Sequence, residues 1–140
     1  MKISTKGRYA VRIMLELARH DGGECVKVKE IAARQGISGK YLEQIIAVLN
    51  KAGFVQSVRG ARGGYRLARP PGDYTVGMIL RLTEGSMAPV SCLEEGGEAC
   101  ERCDTCETVG VWRDVQTAVN QVIDGVTLAD LLERGQKKGF

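Results

Sequence analysis

A mainly α-helical chain carrying one small β-hairpin is predicted by three observations. Apolar side chains recur at helical spacing through most of the sequence. One stretch alone, residues 54 to 68, alternates as strand, glycine-rich turn and strand. A chain of 140 residues, 44% of them hydrophobic, can bury one core with an appended element, whereas two full domains would be crowded.

The elements follow in order. Ser4 or Thr5 can cap a first helix in which Tyr9, Ile13, Met14 and Leu17 share one face, running to about His20 before Asp21-Gly22-Gly23 breaks it. Val28 to Arg34 reads as a short helix with Ile31 and Ala32 inward. Gly36 then supplies a tight turn, and Ser38 is a good N-cap for a third helix from about Gly39 to Lys51. Leu42, Ile45, Ile46 and Leu49 form its buried stripe, and Ala52-Gly53 ends it. Two helices joined by a short glycine-containing turn match a helix-turn-helix.

Strands are expected over Phe54 to Val58 and Tyr65 to Ala68, joined by Arg59-Gly60-Ala61-Arg62-Gly63-Gly64. Such a hairpin beside a helix-turn-helix is a wing, with Arg59 and Arg62 at its tip and glycines that let backbone approach a phosphate. Glycine-rich basic loops also cradle nucleotides, but this one lacks a Lys-Ser/Thr ending and joins two strands rather than a strand and a helix. Beyond Pro70-Pro71, Thr75 caps a helix from Val76 to Thr83. An acidic loop from Gly85 leads to a long helix carrying Val111, Trp112, Val115, Ala118, Val119, Val122 and Ile123, and Thr127 to Arg134 closes as a short capped helix. The long helix's apolar stripe is wide: it serves either its own winged unit or a second copy of the chain, and sequence alone leaves that choice open.

Charge divides the chain at about residue 75. Residues 1–75 hold 14 basic and 6 acidic residues, net +8, whereas residues 76–140 hold 6 and 11, net −5; together these give the overall +3. A basic half attracts polyanions, so residues 1–75 are expected to bind nucleic acid and residues 76–140 to do something else, within one compact unit. No apolar run approaches the roughly 20 residues that span a bilayer, and the N-terminus is not a signal peptide, so a cytosolic (cytoplasmic) protein with no membrane role is expected. No catalytic His or acid-base pair stands out, which argues against an enzyme.

The second half carries Cys92, Cys100, Cys103 and Cys106, spaced C-x7-C-x2-C-x2-C, while Cys25 lies apart. In a reducing cytosol such spacing points to metal binding or redox response rather than to a disulfide framework. Glu94, Glu95, Glu98, Glu101, Asp104 and Glu107 surround them and disfavour free thiolates, a repulsion that a bound cation or cluster would offset. Zinc and iron-sulfur clusters both take thiolates, so four nearby cysteines do not separate the two.

The opening Met1-Lys-Ile-Ser-Thr-Lys-Gly-Arg-Tyr-Ala, the segment Gly36-Ile-Ser-Gly-Lys-Tyr-Leu-Glu-Gln-Ile and the wing Val58-Arg-Gly-Ala-Arg-Gly-Gly-Tyr-Arg-Leu closely resemble the IscR, NsrR and CymR type (Rrf family) of winged-helix regulators. The likeness continues through Thr83-Glu-Gly, Trp112-Arg-Asp-Val and Thr127-Leu-Ala-Asp-Leu, nearly the full chain. It implies a winged helix-turn-helix with a long C-terminal dimerisation helix, a homodimer on a palindromic operator, and, in many members, an iron-sulfur cluster. The same resemblance favours repression, over genes of cluster assembly, iron, sulfur, or redox and nitric oxide stress.

Carried over by position, Cys92, Cys100 and Cys106 match the three cysteine ligands of cluster-binding relatives. Cys103 is an addition. The position of a histidine ligand in some relatives is Val109 here, and where others use an acidic residue near the N-terminus of the partner chain this sequence has Arg8, so Cys103 is the leading fourth ligand and Glu107 the runner-up. His20 reads as a surface or helix-capping histidine, with a ligand contributed across the dimer as the alternative. A [2Fe-2S] cluster is favoured, with [4Fe-4S] and zinc as alternatives; a cluster-free, thiol-based or partner-controlled repressor of cysteine or sulfur metabolism, in the manner of CymR, is the rival function. For DNA, Ser38, Lys40, Tyr41 and Gln44 are the base-edge candidates, Arg59 and Arg62 the wing contacts, and Lys2, Lys6 and Arg8 the phosphate contacts. Glu43 could accept from cytosine, disfavour a wrong base or face solvent.

Overall fold

Ser4 opens the first helix as its pattern suggests: it is extended, and its hydroxyl oxygen accepts from the Gly7 backbone N–H at 3.2 Å. The computed structural model describes residues 1–98 and 100–138. Its helices are α1 (Thr5–Arg19), α2 (Val28–Gln35), α3 (Gly39–Lys51), α4 (Val76–Glu84), α5 (Val109–Asp124) and α6 (Leu128–Lys137). Strands β1 (Val55–Val58) and β2 (Gly64–Leu67) pair antiparallel, with Val55 opposite Leu67 and Val58 opposite Gly64. The fold is thus mainly helical with one hairpin, as the sequence predicts. β1 starts one residue later than the pattern suggested and β2 lies one residue earlier, taking in Gly64; Phe54 and Ala68 fall outside the strands but remain joined by a backbone hydrogen bond of 3.2 Å.

One core holds the winged unit together. Ile13, Met14 and Leu17 of α1, Ile31 of α2 and Leu42, Ile45, Ile46 and Leu49 of α3 are all buried, each removal of such a side chain from water being worth about 1.5–3 kcal/mol. α4 and α6 complete this core through Ile79 and Leu128. The return of α6 is fastened at Tyr74, which is fully buried: its hydroxyl donates to the Phe54 carbonyl at 2.8 Å and accepts from the Arg69 N–H at 3.1 Å. Its own carbonyl accepts from Leu128 N–H at 3.0 Å, beside an isolated bridge between Thr75 and Thr127. Thr75 and Thr127 each cap the helix that follows, so one bridge registers the starts of α4 and α6.

The second half packs more sparely. Leu80, Met87 and Ile123 form a small cluster where α4, the segment after it and α5 meet. Arg81 of α4 donates to both carboxylate oxygens of Asp124 and, at 3.0 Å, to Asn120, fixing α5 against α4. A Cβ at Gly77 would collide with the Asp124 carboxylate, so the absence of a side chain there admits the clamp. On α5 the outward apolar residues stay uncovered: Val111, Trp112 and Val122 are 55%, 39% and 65% exposed.

Candidate nucleic-acid interface and thiol loop

The second helix of the helix-turn-helix presents its first turn outward. Gly36 adopts φ +64°, ending α2 in the left-handed region that a side chain resists, and the chain turns into α3 within three residues. Ser38 caps α3 by accepting from Tyr41 N–H at 3.3 Å, so its hydroxyl is partly committed to the helix. Lys40, Glu43 and Gln44 are exposed. Tyr41 is half-buried, its ring edge-on to Tyr9 at 5.9 Å between centroids.

The hairpin tip places Arg59 and Arg62 in the open. Gly60 and Gly64 take φ of +109° and +142°, and a Cβ at Gly63 would strike the Val58 carbonyl, so the tip's shape depends on its glycines. Val26 forms a bridge with Tyr65, exchanging hydrogen bonds of 2.9 and 2.8 Å, and anchors the hairpin to the segment before α2. At the N-terminus Lys2 and Arg8 are exposed and Lys6 half-exposed, with Arg8 donating to Thr5 at 3.2 Å. Sequence reasoning missed Lys27 and Lys29. Together with Lys40 and Glu43 they line an open cavity of about 720 Å³ between the starts of α2 and α3, adding positive charge beside the base-edge candidates. Each lysine alone gave no signal; only the approach of α2 to α3 brings them to Lys40.

The four cysteines lie between α4 and α5, all as free thiols. Cys92 sits in a short 3-10 turn (Ser91–Leu93), half-buried, while Cys100 and Cys103 are exposed. Cys103 receives a long contact of 3.8 Å from the Arg113 guanidinium on α5. The Cys106 sulfur lies 3.3 Å from the Thr108 hydroxyl at the start of α5; that hydrogen bond, then the backbone N–H groups of Thr108 and Val109 and the charge of Arg102, hold its thiol below the ordinary range against the opposing effect of burial. Among the described residues no three His, Cys, Asp or Glu side chains come together as a group that could hold a metal ion. The thiols are therefore neighbours in the chain rather than a formed ligand set. Glu107 is exposed, and Cys25 is half-buried beside the Val26 bridge, away from the loop in sequence. His20 ends α1, where Arg34 Nη1 lies 2.9 Å from its Nε2.

A helix exposed behind a tight turn and a basic hairpin anchored beside it define a winged helix-turn-helix fold, the architecture of a DNA-binding regulator; among the described residues no helix is long and apolar enough to cross a membrane. The chain belongs to the Rrf2 family, whose model, described as "Iron-dependent Transcriptional regulator", matches residues 3–134. It is 42% identical to the HTH-type transcriptional regulator IscR of Aliivibrio salmonicida over 132 residues, 94% of this chain and 77% of the relative. It is 43% identical to the HTH-type transcriptional regulator CymR of Bacillus subtilis over 131 residues, 94% of this chain and 89% of that one. Among solved structures, CymR (YrzC), "the Global Cysteine Regulator of B. subtilis", matches with a TM-score of 0.82 and 40% identity, over 96% of this chain and 98% of the other. IscR of T. potens matches at 0.80 and 44%, over 100% and 92%.

Proposed function

We propose that the chain is a homodimeric repressor that grips a palindromic operator and reads the state of an iron-sulfur cluster, most simply [2Fe-2S], held by Cys92, Cys100, Cys106 and Cys103. The observation that carries this reading is the concentration of four free thiols in the one segment joining the winged unit to α5. Their chemistry fits the group: soft thiolates suit clusters, and surrounding carboxylates are better tolerated beside bound metal than beside bare thiolates. Because the thiols are not gathered, holding the group requires the segment to close. Glu107 is the substitute ligand if Cys103 is not used; [4Fe-4S] and zinc suit the same donors. When bound, the cluster supplies a cross-link that iron scarcity, oxidation or nitric oxide removes.

The chain's own residues do the rest. Cys106 at the start of α5 and Cys92 after α4 let closure of the segment bias the angle between those helices, and the bias can be only as large as the difference in cluster affinity between the two arrangements. The exposed face of Val111, Trp112 and Val122 supports pairing of α5 with a second copy, which would set two α3 helices about 34 Å apart for a palindrome. Gln44 suits adenine, Lys40 suits guanine or phosphate, and Ser38 and Tyr41 flank them. Arg59, Arg62, Lys2, Lys6 and Arg8 hold backbone phosphates or enter a groove.

A second reading is favoured by the ungathered thiols and by the match to CymR: a cluster-free, thiol-based or partner-controlled regulator of cysteine metabolism. Anaerobic purification with visible absorption and counts of iron, sulfide and zinc per chain separates the readings. Brown protein with near-stoichiometric iron and sulfide supports the cluster, and the iron count gives its type. Colourless protein that resists reconstitution sinks it in favour of the second reading.

A further inference from the structure

Glu16 is the one buried charged side chain among the described residues, at 3% exposure, and it lies on the face of α1 that packs toward α2. One carboxylate oxygen accepts from Arg34 at 2.7 Å. The other accepts from Arg19 at 2.9 Å and from the Gln35 amide at 3.1 Å. One turn earlier on α1, Arg12 donates to the Gln35 side chain at 2.8 Å and to the Gln35 carbonyl at 2.7 Å. Arg34 and Gln35 are the last two residues of α2, and Gly36, at φ +64°, follows at once as the hinge into Ser38 and α3. Two α1 side chains thus grip the point at which the chain turns toward its DNA-facing helix.

An apolar residue at position 16 would bury the same surface without taking a carboxylate out of water, a cost that only good pairing offsets. What the carboxylate adds is direction. Apolar contacts are non-directional and let helices slide over one another, while hydrogen bonds at fixed donor positions define one arrangement. We propose that Glu16 is a positioning residue for operator discrimination, its clamp on Arg34 and Gln35 fixing how α3 meets base edges without itself touching DNA. The inference rests on α3 being the base-reading helix.

The test compares wild type, Glu16→Gln, Glu16→Met and Arg34→Lys as full-length chains. Each is measured against a duplex selected by wild type from a random pool and against a scrambled duplex of equal composition. The expected result is an about tenfold smaller ratio of selected to scrambled affinity in the Glu16 variants, with scrambled-duplex affinity nearly unchanged; Glu16→Gln, which loses the paired carboxylate, should melt somewhat lower at neutral pH. Glu16→Met should melt no lower than wild type yet discriminate worse, a separation that a merely stabilising residue would not give. Arg34→Lys sits on a half-exposed side chain and keeps the charge but not the planar fork, so it preserves the readout if both Glu16 variants fail to fold. An unchanged ratio in any folded Glu16 variant, or in Arg34→Lys where neither Glu16 variant folds, overturns the inference. Gln44→Ala, measured alongside, separates the two layers: if it too leaves the ratio unchanged, the reading of α3 fails; if it alone lowers the ratio, only the clamp does.

Discussion

The winged unit and the segment from Gly85 through α5 are built on opposite terms. The first satisfies itself: α1 and α3 begin at hydrogen-bonded caps, its apolar stripes converge on one core, and its one buried carboxylate has several partners. The second leaves features uncompleted from within, with thiols that do not meet and an apolar helix face 39–65% exposed at its largest side chains. A region that is complete within one chain sets shape. On the function proposed above, a second copy and a bound group would complete the other region, and that dependence would let it report on conditions.

The comparison breaks first in the core. Ile45→Ala, at a fully buried position, should cost about 2–5 kcal/mol in denaturant unfolding and abolish operator binding with it. Val122→Glu on α5 should leave the circular dichroism and melting of the winged unit intact while sedimentation shows dimer giving way to monomer. Operator affinity should then fall about a hundredfold as the two half-sites lose their tether. Retention of the dimer would remove α5 as the pairing face. Arg59→Ala sharpens the contrast on a smaller scale: affinity should weaken for every duplex and the slope of log affinity against log salt should flatten by about 1, the loss of one released counterion. An unchanged slope would reject a phosphate contact at the wing tip.

The smallest effect is in acid. Burial alone would raise the Glu16 carboxyl, but hydrogen bonds from Arg34 and Gln35 and the charges of Arg19 and Arg34 hold it below the ordinary value of 4.5. A carboxyl lowered by folding contributes stability above its unfolded value and loses it as pH falls through its folded one. Wild type should therefore lose melting temperature more steeply than Glu16→Gln below about pH 4.5. Parallel curves would show that the carboxylate contributes nothing to folding.

What could be read in the sequence was what is local. Ser4, Ser38, Thr75 and Thr127 announce helix starts because a cap needs only the next few residues, and the glycine-rich turn between alternating stretches announces the hairpin. The strand ends differ by one residue: alternation continues past the ladder at Phe54 and Ala68, and Gly64 pairs with Val58 although a glycine in a glycine-rich turn gives no strand signal. What could not be read was what depends on elements meeting. Glu16 looks like any polar residue of an amphipathic helix until α2 arrives over it. Lys27 and Lys29 become part of the basic face only through the approach of α2 to α3. The Val26 bridge to Tyr65 joins residues too far apart for any pattern. The cysteines were legible as a set through their spacing, but spacing measures distance along the chain, and the loop does not fold that proximity into a common centre.

Gly7 carries a consequence for how this chain can vary. A Cβ there would collide with the Glu84 carboxylate, which instead reaches the start of α1 and accepts from both the Ser4 N–H, at 3.1 Å, and the Ser4 hydroxyl. Glu84 is the residue immediately before the thiol segment, and Ser4 stands between Lys2 and Lys6. A single methyl added at position 7 would thus be felt at Glu84, in another helix and more than half the chain away, so in descendants of this chain positions 7 and 84 should drift as a pair.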